Sequence, residues 1–377
     1  PQLIHSGQQE GLSFINSDMI SSIEFSAGGY EAKYGDKMSS VLDIKYRKPD
    51  GFHTSLSYSL LGYSCHVEGL DNTKKLSWIF GYRNKRNSSL FRKMDTKGDY
   101  KPVFNDLQGV IDYRLNNKID LELLGNIASN NYIFIPETRE TKYGTVNNAM
   151  KFVVYFNGKE EDIYRTYVGA LSLVYKPIDK FKLKFICSGF NINERESYDI
   201  EGAYSIDQLE TDMGNSNFGG SLYSRGIGYF LNHARNRLYA NIYNIEHKGT
   251  YYINNKSILL WGAKVQRENI YDKINEYIYI DSAGYSLPYK WDSIGYLNAD
   301  MQPRYMFDMN DYVNSKNCVK SIRYSSFFEY SYNVKGERAK HIFNVGARLL
   351  YWNFNDNWNF SPRSQYIIKP YWERDIS

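Results

Sequence analysis

Polar and apolar residues alternate with a period of two along much of this chain, and the gaps between the alternating runs are themselves alternately short and long. Successive side chains of a strand point to opposite faces, so such a run is a ribbon with one wet and one greasy side. Residues 55–60 place Leu56, Tyr58 and Leu60 opposite three serines. Residues 167–175 place Tyr167, Leu171, Leu173 and Tyr175 on one face and smaller residues on the other. Residues 343–351 set Phe343, Val345, Ala347, Leu349 and Tyr351 against Asn344, Gly346 and Arg348. Short gaps fall at 71–75, 115–118, 177–180, about 248–255 and 334–337. Long polar gaps fall at about 86–103, 136–162, 200–227 and 270–316. A rim of tight turns facing a rim of long loops is the plan of an up-and-down barrel. A sandwich or propeller has no reason to alternate its loops in this way.

About twelve strands follow from that spacing: 52–61, 64–70, 76–85, 104–115, 119–135, 163–176, 181–199, 228–247, 256–269, 317–333, 338–353 and 362–372. A tight turn at 62–64 joins the first two. The 36 Tyr, 20 Phe and 6 Trp stand beside a mean hydropathy of -0.56. A barrel with aromatic girdles and a polar lumen has this balance, as does a soluble β-rich protein, so composition alone does not decide between them. No run nears the roughly 18 apolar residues of a spanning helix, so a membrane would be crossed by strands.

Other chemistries find little support. The net charge of +4 comes without any block of like charge, which gives no nucleic-acid footprint. Cys65, Cys187 and Cys318 have neither metal nor disulfide spacing, and Cys65 and Cys187 read as small packed side chains within strands. His5, His53, His66, His233, His247 and His341 are scattered singly, without zinc-ligand spacing. Glu160, Glu161 and Asp162 read as a solvated charge run before a strand rather than a glycosidase pair. No calcium-loop pattern occurs. The expectation is a protein that is no enzyme, with no metal and no cofactor.

Residues 15–49, INSDMISSIEFSAGGYEAKYGDKMSSVLDIKYRKP, form a distinctive unit. An apolar strand at 23–25 precedes a turn at 27–35 carrying Gly28, Gly29, Tyr30, Tyr34 and Gly35, then small residues at 38–40 and a last strand at 41–46 that Pro49 stops. Gly28 and Gly29 admit positive φ or a close backbone approach. This order resembles the end of the plug domain in TonB-dependent outer-membrane receptors. The Ser-Ala-Gly-Gly-aromatic run before Ala-x-Tyr-Gly is similar to Bacteroidetes-type receptors, including the SusC-like group.

The resemblance implies an all-β fold: an antiparallel transmembrane β-barrel of 22 strands when complete, about 12 of them here, with part of an N-terminal plug. Residues 1–50 would be the C-terminal part of the plug and 51–377 the N-terminal part of the barrel. The resemblance thus places the chain as an internal fragment or a split chain of a bacterial outer-membrane protein. It implies uptake of a nutrient, glycan or peptide before iron chelate, driven by TonB and assisted by a SusD-like surface lipoprotein. The alternative is a non-transporting accessory barrel in a larger outer-membrane assembly. Candidate ligand contacts are the loop aromatics Tyr285, Tyr289 and Trp291 in the 270–316 gap, which also holds Tyr271, Tyr277, Tyr279, Tyr296, Asp272, Asp281 and Asp292. Loop packing or an outer girdle is the plainer reading of these aromatics. His5, Gln8 and Gln9 could reach the outward surface of the plug, where a solvated loop is the plainer reading.

Overall fold

The computed structural model describes residues 16–27, 31–35, 40–86, 98–145, 147–281 and 307–371. A short 3-10 helix, Ser17–Met19, leads into β1 (Ile20–Ala27) and β2 (Ser40–Tyr46), which pair as an antiparallel hairpin in a sheet of their own. The main sheet begins with β3 (His53–Ser59), β4 (Gly62–Leu70), β5 (Leu76–Arg86), β6 (Gly98–Asn116) and β7 (Ile119–Pro136). It continues through β8 (Arg139–Thr145), β9 (Asn148–Ile178), β10 (Phe181–Leu209) and β11 (Ser221–Tyr252). β12 (Ser257–Asp281), β13 (Phe307–Lys335), β14 (Ala339–Trp352) and β15 (Asn357–Pro370) complete it.

Twelve of these strands form one antiparallel path in which each neighbour in sequence is a neighbour in space, with β8 set aside as a short partner of β9. The alternating gaps therefore gave the meander correctly. Tight connections close one rim at 71–75, 117–118, 179–180, 253–256 and 336–338. On that rim, 248–252 belongs to β11 rather than to a turn. The first outer turn sits at Leu60 and Leu61, and Gly62 (φ +131°) opens β4 instead of closing the turn. Another outer turn at 353–356 brings β15 in five residues earlier than the pattern indicated.

Most of the expected long loops are strand. β9 runs for 31 residues, β10 for 29 and β11 for 32, so 148–162 and 200–209 extend the sheet, and only 210–220 separates β10 from β11. β12 reaches Asp281 and β13 starts at Phe307, so Tyr271, Tyr277 and Tyr279 lie on strand. At about 3.3 Å per residue β11 is about 100 Å long, against about 45 Å for the 14 residues of β14. The sheet is thus a low wall at its two ends and a tall one across β9–β13.

The two faces differ as the alternation requires. Tyr167, Leu171, Leu173 and Tyr175 project outward from β9 and are exposed, while Thr166, Ser172 and Val174 of the other face are buried. Phe185, Tyr243, Ile245, Val265 and Tyr324 continue the outward apolar surface on β10–β13. Cys65, Cys187 and Cys318 are free and exposed, so the expectation of packed thiols fails for Cys65 and Cys187.

Candidate functional site

Strands near both ends of the wall touch described residues of one short segment, 16–47, so the wall curves around it. On one side, Met19 is fully buried against Ile79 of β5 and Val110 of β6, with Tyr46 and Leu124 packed around them. The side chain of Gln108, itself fully buried, accepts from the backbone N–H of Asn16 (3.3 Å) and donates to the Tyr46 hydroxyl (2.8 Å). Gly81 makes this approach possible, since a Cβ there would lie 2.9 Å from the Met19 sulfur and against the Asn16 amide. Arg47 donates to the Asp18 carbonyl (2.6 Å) and lies 3.2 Å from the buried Glu68 carboxylate of β4. Glu68 also meets His66 at 3.1 Å and His53 at 3.3 Å.

From the opposite side, Glu329 of β13, only 1% exposed, accepts from the backbone N–H of Ala32. Arg363 of β15 donates to the carbonyls of Glu31 (3.0 Å) and Tyr34. Asn344 of β14 donates to Gln365 (3.2 Å) and reaches the Glu31 carboxylate at 3.5 Å. The Tyr34 hydroxyl donates to Asp43 of β2 (2.7 Å), tying the turn to its own hairpin. Gly35 leaves room for a distant side chain: a Cβ there would fall on the guanidinium of Arg348. Gly346 gives the turn room in the same way, because its Cβ would lie 2.9 Å from that of Ala32. Among the described residues the seat is mainly polar, with one small apolar anchor at Met19. Such an interface can release and re-form at modest cost, since its donors and acceptors find water on leaving.

Of the residues singled out from sequence, Tyr34 and Gly35 are in this seat. Gly28, Gly29, Tyr30, Tyr285, Tyr289, Trp291, Asp292, Tyr296, His5, Gln8 and Gln9 lie outside the described residues. The wall half of the seat carried no local signal, because Glu329, Asn344, Arg348 and Arg363 are about three hundred positions from their partners.

A second constellation lies higher on the inner face. Glu160 and Asp162 are in β9 and Asp162 is 3% exposed, which corrects the reading of this stretch as a solvated run. Only Glu161 is of that kind, pointing outward to Lys159 at 3.5 Å. Glu196 of β10 stands directly opposite Asp162, and ligand oxygens of all three acids lie within 4.8 Å of one another. Tyr132 of β7 is opposite Asp162 on the other side, and Tyr164 and Tyr198 flank the group. The acids lie about 16 Å further along β9 than Tyr167, beyond the outward aromatic row. Burial, then repulsion from Glu160 and Glu196, pushes the Asp162 carboxyl up to about 8. Burial and Glu196 likewise raise Glu160. The signal available in sequence was the i, i+2 spacing of Glu160 and Asp162, which puts both on one face once the stretch is a strand.

The outer face at the same height is basic. Arg195, Arg237, Lys273 and Lys316 stand opposite one another in register across β10, β11, β12 and β13. None of the four has an acidic partner at ion-pair distance among the described residues. Like charges directly opposed on a sheet repel, so this row is suited to an anionic surface beside it.

No family model matches the chain, and no curated protein matches it. Among solved structures it is similar to a FadL homologue of Pseudomonas aeruginosa at 9% identity, covering 90% of this chain and 81% of that one with a TM-score of 0.25. The pyoverdine outer membrane receptor FpvA of Pseudomonas aeruginosa, bound to pyoverdine, gives 7% identity, 93% and 76% coverage and a TM-score of 0.27. The toluene transporter TodX of P. putida gives 10%, 83% of each chain and 0.20. At these scores the likeness says nothing about what this chain binds.

Proposed function

We propose that this chain is the wall and plug seat of a bacterial outer-membrane transporter that takes up a nutrient with energy delivered by TonB. The observation that carries the reading is the seat: a hairpin segment held inside a curved antiparallel wall from two sides, through contacts that are mostly polar. A plug must close the lumen at rest and leave when pulled, and a polar seat allows both. The outward aromatic and aliphatic surface of β9–β13 would meet lipid, and the basic row above it would meet the phosphates of the outer leaflet.

Within that reading, the order of residues 15–49 favours the Bacteroidetes-type, SusC-like branch, with glycan or peptide as cargo and a SusD-like lipoprotein over the long-loop rim. The tall wall of β9–β13 would stand beside that lipoprotein. The proposed mechanism involves no covalent chemistry: binding at the outer rim is followed by unseating of residues 16–47. The test is uptake by source cells with and without TonB. Binding that persists while accumulation stops supports active transport. Accumulation that is unchanged without TonB overturns it and leaves the accessory-barrel role.

A further inference from the structure

Asp162 and Glu196 face each other directly across β9 and β10, and Glu160 lies two residues from Asp162 on the same face. Like charges so placed repel, and water cannot relieve them where Asp162 is 3% exposed. A second observation is separate from the clustering: the Asp162 Oδ1, sealed from solvent beside the Glu160 and Glu196 carboxylates, has no hydrogen-bond partner among the described residues. Buried polar atoms in folded proteins have partners, so an orphaned carboxylate oxygen beside two more carboxylates calls for a cation.

We infer that Glu160, Asp162 and Glu196 bind a divalent cation, Ca2+ by preference, on the inner face of the wall. All three donors are carboxylate oxygens, which are hard ligands and favour Ca2+, Mg2+ or Mn2+ over zinc or copper. The 4.8 Å span fits oxygens arranged around an ion at about 2.3–2.6 Å, with water completing a flexible shell as Ca2+ tolerates and Mg2+ does not. Asn236 of β11 positions one ligand, donating to Glu196 (2.8 Å) and also to Glu276 of β12. The ion would bridge β9 and β10 beyond the apolar outward surface, where no lipid contact supports the strands. It would also remove most of the negative charge from this part of the inner face. The inference does not depend on the transport reading, because it needs only the described side chains.

The test is terbium luminescence on the full chain in detergent, excited through tyrosine, with Ca2+, Mg2+ and Zn2+ as competitors. Tyr132, Tyr164 and Tyr198 surround the acids and would sensitise an ion held there. The expected result is emission displaced by Ca2+ in the range of extracellular calcium modules, about 0.1–1 mM, and not by equal Mg2+. Asp162→Asn and Glu196→Gln should each weaken terbium binding about tenfold or more, while the outward Glu161→Gln changes it less than about twofold. These neutralising variants relieve repulsion and so retain the fold; heat-modified gel migration checks that, and Glu160→Gln provides the same reading should one of them misfold. Absence of sensitised emission in the parent protein, or equal emission from Asp162→Asn, overturns the site. Equal displacement by Mg2+ overturns the calcium preference.

Discussion

Met19→Ala should unseat the hairpin segment without unfolding the wall. The Met19 side chain is fully buried, and its cluster with Ile79 and Val110 is, among the described residues, the main apolar contact between residues 16–47 and the strands. Burial of a whole Met side chain is worth about 1.5–3 kcal/mol, and truncation to Ala leaves a cavity beneath Gly81 that adds to the loss. A loss of about 2–3 kcal/mol shifts the seating equilibrium about 30- to 140-fold at 1.4 kcal/mol per tenfold. Amide hydrogen exchange reads this directly. Exchange across β1 and β2 should accelerate by that factor, while the amides of β10 and β11, paired along 29 registered positions, should not change. In a planar bilayer the same variant should show more frequent channel openings. Unchanged exchange in the hairpin would refute the anchor, and equal acceleration in β10 and β11 would mean that hairpin and wall are a single cooperative unit.

Arg83 and Asp106 form a bidentate ion pair at 2.7 and 2.8 Å with both side chains buried, so Arg83→Met leaves a naked carboxylate and should cost about 3–5 kcal/mol in unfolding titrations. Replacing both partners, Arg83→Met with Asp106→Leu, should recover most of that loss. The Asp162 carboxyl, raised to about 8 from an ordinary 3.8, binds a proton more tightly folded than unfolded. In chelator, then, its contribution to stability is full below about pH 4 and is lost as pH rises to about 8; urea midpoints at about pH 5 and pH 9 should differ in that sense, and Asp162→Asn should flatten the difference. Arg237→Glu places an acid between Arg195 and Lys273, so it should stabilise the sheet in neutral detergent by about 0.2–1 kcal/mol per pair and weaken its retention in anionic bilayers.

The meander was legible because tight turns and one-sided strands both leave local marks: Asn or Gly at four of the five short gaps, and apolar or aromatic residues at alternate positions along runs such as 167–175 and 343–351. The upper halves of β9–β11 left none. There Lys159, Glu161 and Arg165 on the outward face alternate with Glu160 and Asp162 inside, and polar alternating with polar looks like a loop. What makes those residues strand is pairing, since β10 is hydrogen-bonded on both sides over nearly its whole length. The seat was half legible. Tyr34 and Gly35 stand out from their neighbours, whereas the requirement that Gly35 leave room for Arg348 exists only once the wall has closed around the turn. The misreading of Cys65 and Cys187 has the same root, since a small thiol on a strand gives no sign of which face it takes.

The proposed reading puts the outward face of the wall in lipid, and Cys187 tests that directly. It is free and exposed on β10, directly between Leu171 of β9 and Ile245 of β11. With Cys65 and Cys318 changed to serine, a bimane attached to Cys187 in the reconstituted protein should be quenched by brominated acyl chains and shielded from aqueous iodide. Quenching by iodide with no response to brominated lipid would place this face in water and contradict the account.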